Sequence, residues 1–184
     1  MSLIRFATAR DLYEAFSTAQ DDIEAEPSDA APLDFLRTLR DGGEWKKAVS
    51  FCAYLLPRRE AVWWACRSTR RLVPKLVPAE QAGLQAAEEW VKAPEEERRV
   101  AALGLGMRSD FNWPTTWLAL AAGWSGGNMA LDAKMVAPPP PQQTARAVRA
   151  AVLSAVARVA PLERTAGLRA CVEDARRIAA EEVA

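Results

Sequence analysis

The sequence predicts an all-α protein, a single domain of about eight helices packed as antiparallel neighbours, with a polyproline connector before the last two. Three observations carry this. Apolar residues recur at helical spacing along most of the 184 residues, no segment alternates with period two for long enough to demand a strand, and prolines stand where helices should begin. Most connections between the periodic segments are short, which makes consecutive helices antiparallel neighbours. The length is enough to bury a substantial core without disulfides or metals.

Thr8-Ala9-Arg10-Asp11 has the form of a capping box, and Leu12, Ala15, Phe16 and Ala19 follow on one face, giving a first helix of about three turns. Residues 21–30, acidic and containing Pro and Ser, are expected to be a connector. Leu33, Leu36 and Leu39 define a second helix that stops at Gly42-Gly43, and Trp45, Val49, Cys52 and Leu56 a third that ends at Pro57.

The fourth helix, over residues 58 to about 72, follows Pro57, whose fixed φ and missing N–H suit a helix start. Ala61, Val62, Ala65, Cys66, Leu72 and Val73 share one stripe. Trp63 and Trp64 project about 100° apart, one towards each edge of it, so burying both takes neighbours around well over half the helix. Arg67 and Arg71 lie on the opposite face, with Arg59 and Arg70 beside them. Two readings stand side by side: both indoles in the core with solvated arginines, or an indole and arginine contact surface of the kind that dominates interface hot spots.

Pro74 and Pro78 interrupt the chain before a fifth helix carrying Leu84, Ala87, Trp90 and Val91. Pro94-Glu95-Glu96-Glu97 opens a sixth, where the helix dipole favours carboxylates. Asn112-Trp113-Pro114 starts an aromatic helix through Trp117 that ends at Trp124-Ser125-Gly126-Gly127, and Trp117 and Trp124 are candidate core anchors with Trp63 and Trp64. Residues 125–142 are an irregular Gly- and Pro-rich segment ending in Pro138 to Pro141, a polyproline spacer. Thr144 is placed to cap a helix through Val148, Val152 and Ala155, and Pro161 opens the last, through Leu168, Cys171, Val172 and Ile178.

The chemistry available is narrow. Lys plus Arg equals Asp plus Glu at 24 each, so no global field concentrates nucleic acid or anionic lipid. There is no histidine, which removes the usual neutral-pH base and the commonest metal ligand together. Cys52, Cys66 and Cys171 lie in apolar helical patterns without metal-ligand spacing, and read as reduced, buried thiols. Cys66 has Arg59, Arg67 and Arg70 in register, but its place on the apolar stripe favours an inert thiol. Glu95, Glu96 and Glu97 point apart on a helix and form no acid pair. Gly104-Leu105-Gly106 reads as a helix irregularity and Ser125-Gly126-Gly127 as a turn, since neither sits in a phosphate-loop context. The N-terminal residues lack a signal-peptide pattern and the run over 117–124 is too short to span a bilayer, so a cytoplasmic protein without membrane insertion is expected. No catalytic residue, cofactor or metal is expected, and the protein is not expected to be an enzyme.

The run Leu56-Pro57-Arg58-Arg59-Glu60-Ala61-Val62-Trp63-Trp64-Ala65, with Trp124-Ser125-Gly126-Gly127 and Pro138 to Pro141 ahead of Thr144-Ala145-Arg146-Ala147-Val148, resembles a family of small, uncharacterised helical proteins of bacteria. Their genes tend to lie among type VI secretion genes, near those for spike-tip and adaptor proteins. The resemblance spans residues 32 to about 160, and its specific part is the LPRREAVWWA run. It implies no catalytic residue or cofactor. What it implies is a non-catalytic accessory or adaptor protein that binds a spike or cargo component, with an immunity protein neutralising a neighbouring toxin as the alternative. On either reading the partner is a protein, and Arg59, Arg67, Arg70 and Arg71 are the candidate surface for it.

Overall fold

The computed structural model describes residues 3–130 and 134–181. Among them are ten α-helices, one 3₁₀ turn and no strand. The helices are α1 (Ala9–Ala15), α2 (Ala19–Ile23), α3 (Pro32–Asp41), α4 (Trp45–Leu55), α5 (Arg58–Leu72), α6 (Pro78–Lys92), α7 (Glu96–Arg108), α8 (Pro114–Gly123), α9 (Gln143–Ala157) and α10 (Arg164–Ala179). The predicted capping box is present at α1, where Asp11 N–H donates to the Thr8 hydroxyl and the Asp11 carboxylate accepts from Thr8 N–H at 2.8 Å. Prolines occupy the first turns of α3, α6 and α8, where their lack of an N–H leaves nothing unpaired.

Four local readings need correction. The first helix breaks at Phe16, whose extended backbone (φ −133°) swings its ring between Phe6 and Tyr54, with centroids 6.0 and 5.2 Å away. The chain then re-forms a helix from Ala19 that runs into the expected connector over residues 21–23, where Asp22 of α2 is held by the Tyr54 hydroxyl at 2.5 Å and by Arg146 at 3.2 Å. Thr144 does not cap α9. It lies inside the first turn, after the N-cap Gln142, and its hydroxyl donates to the Trp124 carbonyl at 3.1 Å. Pro161 opens a 3₁₀ turn, Pro161–Glu163, ahead of α10. The Gly- and Pro-rich segment is irregular over residues 125–130 and 134–142, and residues 131–133 of it lie outside the described part.

Core side chains from all ten helices join one cluster. Its densest part is around α8, buried along nearly its whole length and packed on α6, α7 and α9. Glycines allow that closeness. A Cβ on Gly123 would stand 2.7 Å from Leu103, and one on Gly106 2.8 Å from Leu120, so the Gly104-Leu105-Gly106 run is no irregularity but part of an α7–α8 seam. Among the described residues no helix is long and apolar enough to cross a membrane.

Candidate protein-binding face

On α5, Ala61, Val62, Ala65 and Cys66 are buried as the stripe requires. The two indoles part company. Trp64 is fully buried and its N–H donates to the Cys171 carbonyl of α10 at 2.8 Å, satisfying the one polar atom it takes into the core. Trp63 is half-buried at the edge facing α6. The Arg67 guanidinium lies 5.0 Å from its ring centroid, within cation–π range. A groove runs on each side of the Trp63 ring: one of about 340 Å³ towards Arg59, Glu60 and Lys92, and one of about 290 Å³ towards Arg70 and Glu88. Among the described residues the Trp63 indole N–H has no acceptor, and Arg67 has no carboxylate partner.

The other arginines of α5 are engaged within the fold. Arg59 donates to the Val91 and Lys92 carbonyls at 2.7 and 3.4 Å, capping the C-terminal end of α6, where helix carbonyls lack intrahelical donors. Arg70 holds Glu88 through two hydrogen bonds, at 2.6 and 2.7 Å, which raise its guanidinium above the ordinary value. Arg71 turns the other way, to Asp174 of α10 at 2.7 Å, and neutralises a carboxylate whose side chain is only 7% exposed. Arg59, Trp63, Arg67 and Arg70 therefore share the α5–α6 face, and Arg71 leaves it.

Trp117 and Trp124 belong elsewhere. They line a cleft of about 350 Å³ with Arg146 and Arg149 of α9, and Trp117 donates its N–H to the Phe111 carbonyl at 3.0 Å. The four tryptophans do not form one site.

All three cysteines are buried, and burial is the leading cause that pushes each thiol above its ordinary value, so none is a ready thiolate at neutral pH. Among the described residues no group of three or more Cys, Asp or Glu side chains is placed to hold a metal ion.

The sequence reading did not find Arg99, which is 4% exposed on α7. It grips Glu96 with two bonds of 2.7 Å, donates to the Gly123 carbonyl and reaches Asn128 O at 3.2 Å, holding the Ser125-Gly126-Gly127 turn against α7. Gly127, at φ +61°, is required there: a Cβ would meet the guanidinium at 2.8 Å. The Glu–Arg spacing of three was visible in the sequence, but nothing local separates it from an exposed pair.

Fold and face together define a class: an all-helical protein that carries a half-buried indole stacked with an exposed guanidinium on its α5–α6 face. The chain belongs to the family of unknown function DUF6931, whose model matches residues 35–179, from α3 to the end of α10. No curated protein matches the chain, and no solved structure does.

Proposed function

We propose that the protein is a non-catalytic adaptor, acting in the cytoplasm, that binds a protein partner through the α5–α6 face, and that the partner is a spike or cargo component of a type VI secretion apparatus. One observation supports the face above all. The half-buried Trp63 keeps an unpaired indole N–H and lies beneath Arg67, the arginine of this face without an acceptor of its own. Indole and guanidinium groups are the commonest interface anchors, and a pair already stacked loses less freedom on binding. The free charge of Arg67 calls for an acidic patch on the partner. The secretion context rests on the resemblance carried by the LPRREAVWWA run.

The test is affinity purification from native host cells, with wild type and Arg67→Glu side by side and recovered proteins quantified by mass spectrometry. Wild type should recover a spike or cargo component, and the variant, folded as judged by circular dichroism, should recover about a tenth as much or less. Equal recovery by both removes this face from the account. Recovery of no secretion component by wild type contradicts the adaptor reading, and leaves the immunity reading to be tested by rescue from a toxin encoded alongside.

A further inference from the structure

The end of α1, the C-terminal half of α4, the start of α5 and the start of α9 line a cavity of about 380 Å³ that shares no lining residue with the grooves beside Trp63. Its size is that of a small-molecule site. Its apolar walls include Phe16, Tyr54, Leu56 and Pro141, and Thr144 and two guanidinium-bearing side chains, Arg5 and Arg58, are the polar part of the lining. Arg58 donates to the Ser125 carbonyl at 2.6 Å, and Arg5 stands 5.2 Å from the Phe6 ring centroid. Neither has a carboxylate within ion-pair distance among the described residues.

Arg10, Arg70, Arg71, Arg99, Arg146 and Arg158 each meet a carboxylate, and Arg5 and Arg58 do not. Here two positive charges border the same cavity. Partial burial, and then the nearby charge of Arg58, pull the Arg5 guanidinium below its ordinary value, against the lesser attraction of Glu60. Arg58 is also the first residue of α5, a helix start without a side-chain cap, whose partial charge has the same sign. An anion entering between the two guanidiniums relieves their repulsion and gains charge-assisted hydrogen bonds, while the apolar walls accept the remainder of the molecule.

We propose that this cavity binds a small organic oxyanion, a carboxylate or phosphate on an apolar body, with its charged head between Arg5 and Arg58 and its body against Phe16 and Tyr54.

Isothermal titration of the full chain tests this with phenyl phosphate and phenylacetate as probes, and with inorganic phosphate and benzyl alcohol as controls lacking the body or the charge. At least one probe should bind at millimolar concentration or below, and both controls about tenfold more weakly or worse. The better probe identifies the head group. Arg5→Gln, at an exposed side chain, should weaken that probe about tenfold or more, and Arg37→Gln on α3 should leave it unchanged. Arg58→Gln, checked for folding by circular dichroism, should repeat the loss. Failure of both probes to bind, inorganic phosphate binding as well as the better probe, or full affinity in a folded Arg5→Gln or Arg58→Gln protein would overturn the proposal.

Discussion

The side of α5 that carries Trp64 faces the core and α10, and the indole N–H it buries is answered there by the Cys171 carbonyl. About 100° round the same helix, Trp63 sits over α6 with its N–H unanswered and a guanidinium laid on its ring. Arginine divides in the same way. Arg99 is sunk between α7 and the Ser125-Gly126-Gly127 turn with all its partners inside the molecule, whereas Arg67 keeps its charge for whatever lies outside. Residue type does not decide whether an indole or guanidinium serves the fold or a partner. The number of elements packed around that point of the helix does, and on the proposed adaptor reading the accessible groups without internal partners are those a partner takes up.

The contrast can be broken or sharpened by substitution. Trp64→Ala should have the largest effect, about 3–5 kcal/mol of stability in urea denaturation, because it empties a fully enclosed volume and removes the indole bond to the Cys171 carbonyl. Arg99→Met should cost about 1–3 kcal/mol, since the buried Gly123 carbonyl loses its charged donor, and amide hydrogen exchange should show the 125–128 turn loosened. Gly123→Ala should cost about 1–2 kcal/mol in thermal unfolding: the new methyl lands on the Leu103 backbone, and that overpacking outweighs the helix propensity alanine brings. Arg67→Glu should change stability least, by under about 1 kcal/mol, the worth of an exposed cation–π contact. A loss at Arg67 as large as that at Arg99 would erase the distinction between the two arginines.

Much of the fold was legible because it is written locally. Pro57 and the stripe from Ala61 to Val73 placed α5 at the residues where it lies, and Gly42 ended α3 as expected. The all-helical class followed from periodicity along the chain. What escaped depends on contacts far apart in sequence. Helix α2 forms within an acidic stretch because Tyr54, 32 residues on, and Arg146 of α9 take up Asp22. Gly104-Leu105-Gly106 looks like a weak point until Leu120 is seen against it. At the candidate face, the sequence brought the right residue types to one helix but could not say which indole turns inward, nor that Arg70 and Arg71 are answered by Glu88 and Asp174. A solvated arginine and a paired one have the same neighbours in sequence.

The most direct test of the division within the tryptophan pair is one urea titration run on Trp63→Ala and Trp64→Ala together. Trp63→Ala should retain the wild-type circular dichroism spectrum and lose less than about 2 kcal/mol, while Trp64→Ala should lose about 3–5 kcal/mol, with similar denaturant slopes. Equal losses would mean that Trp63 is as much a part of the core as its neighbour, and would contradict the claim that one indole of the pair is left for a partner.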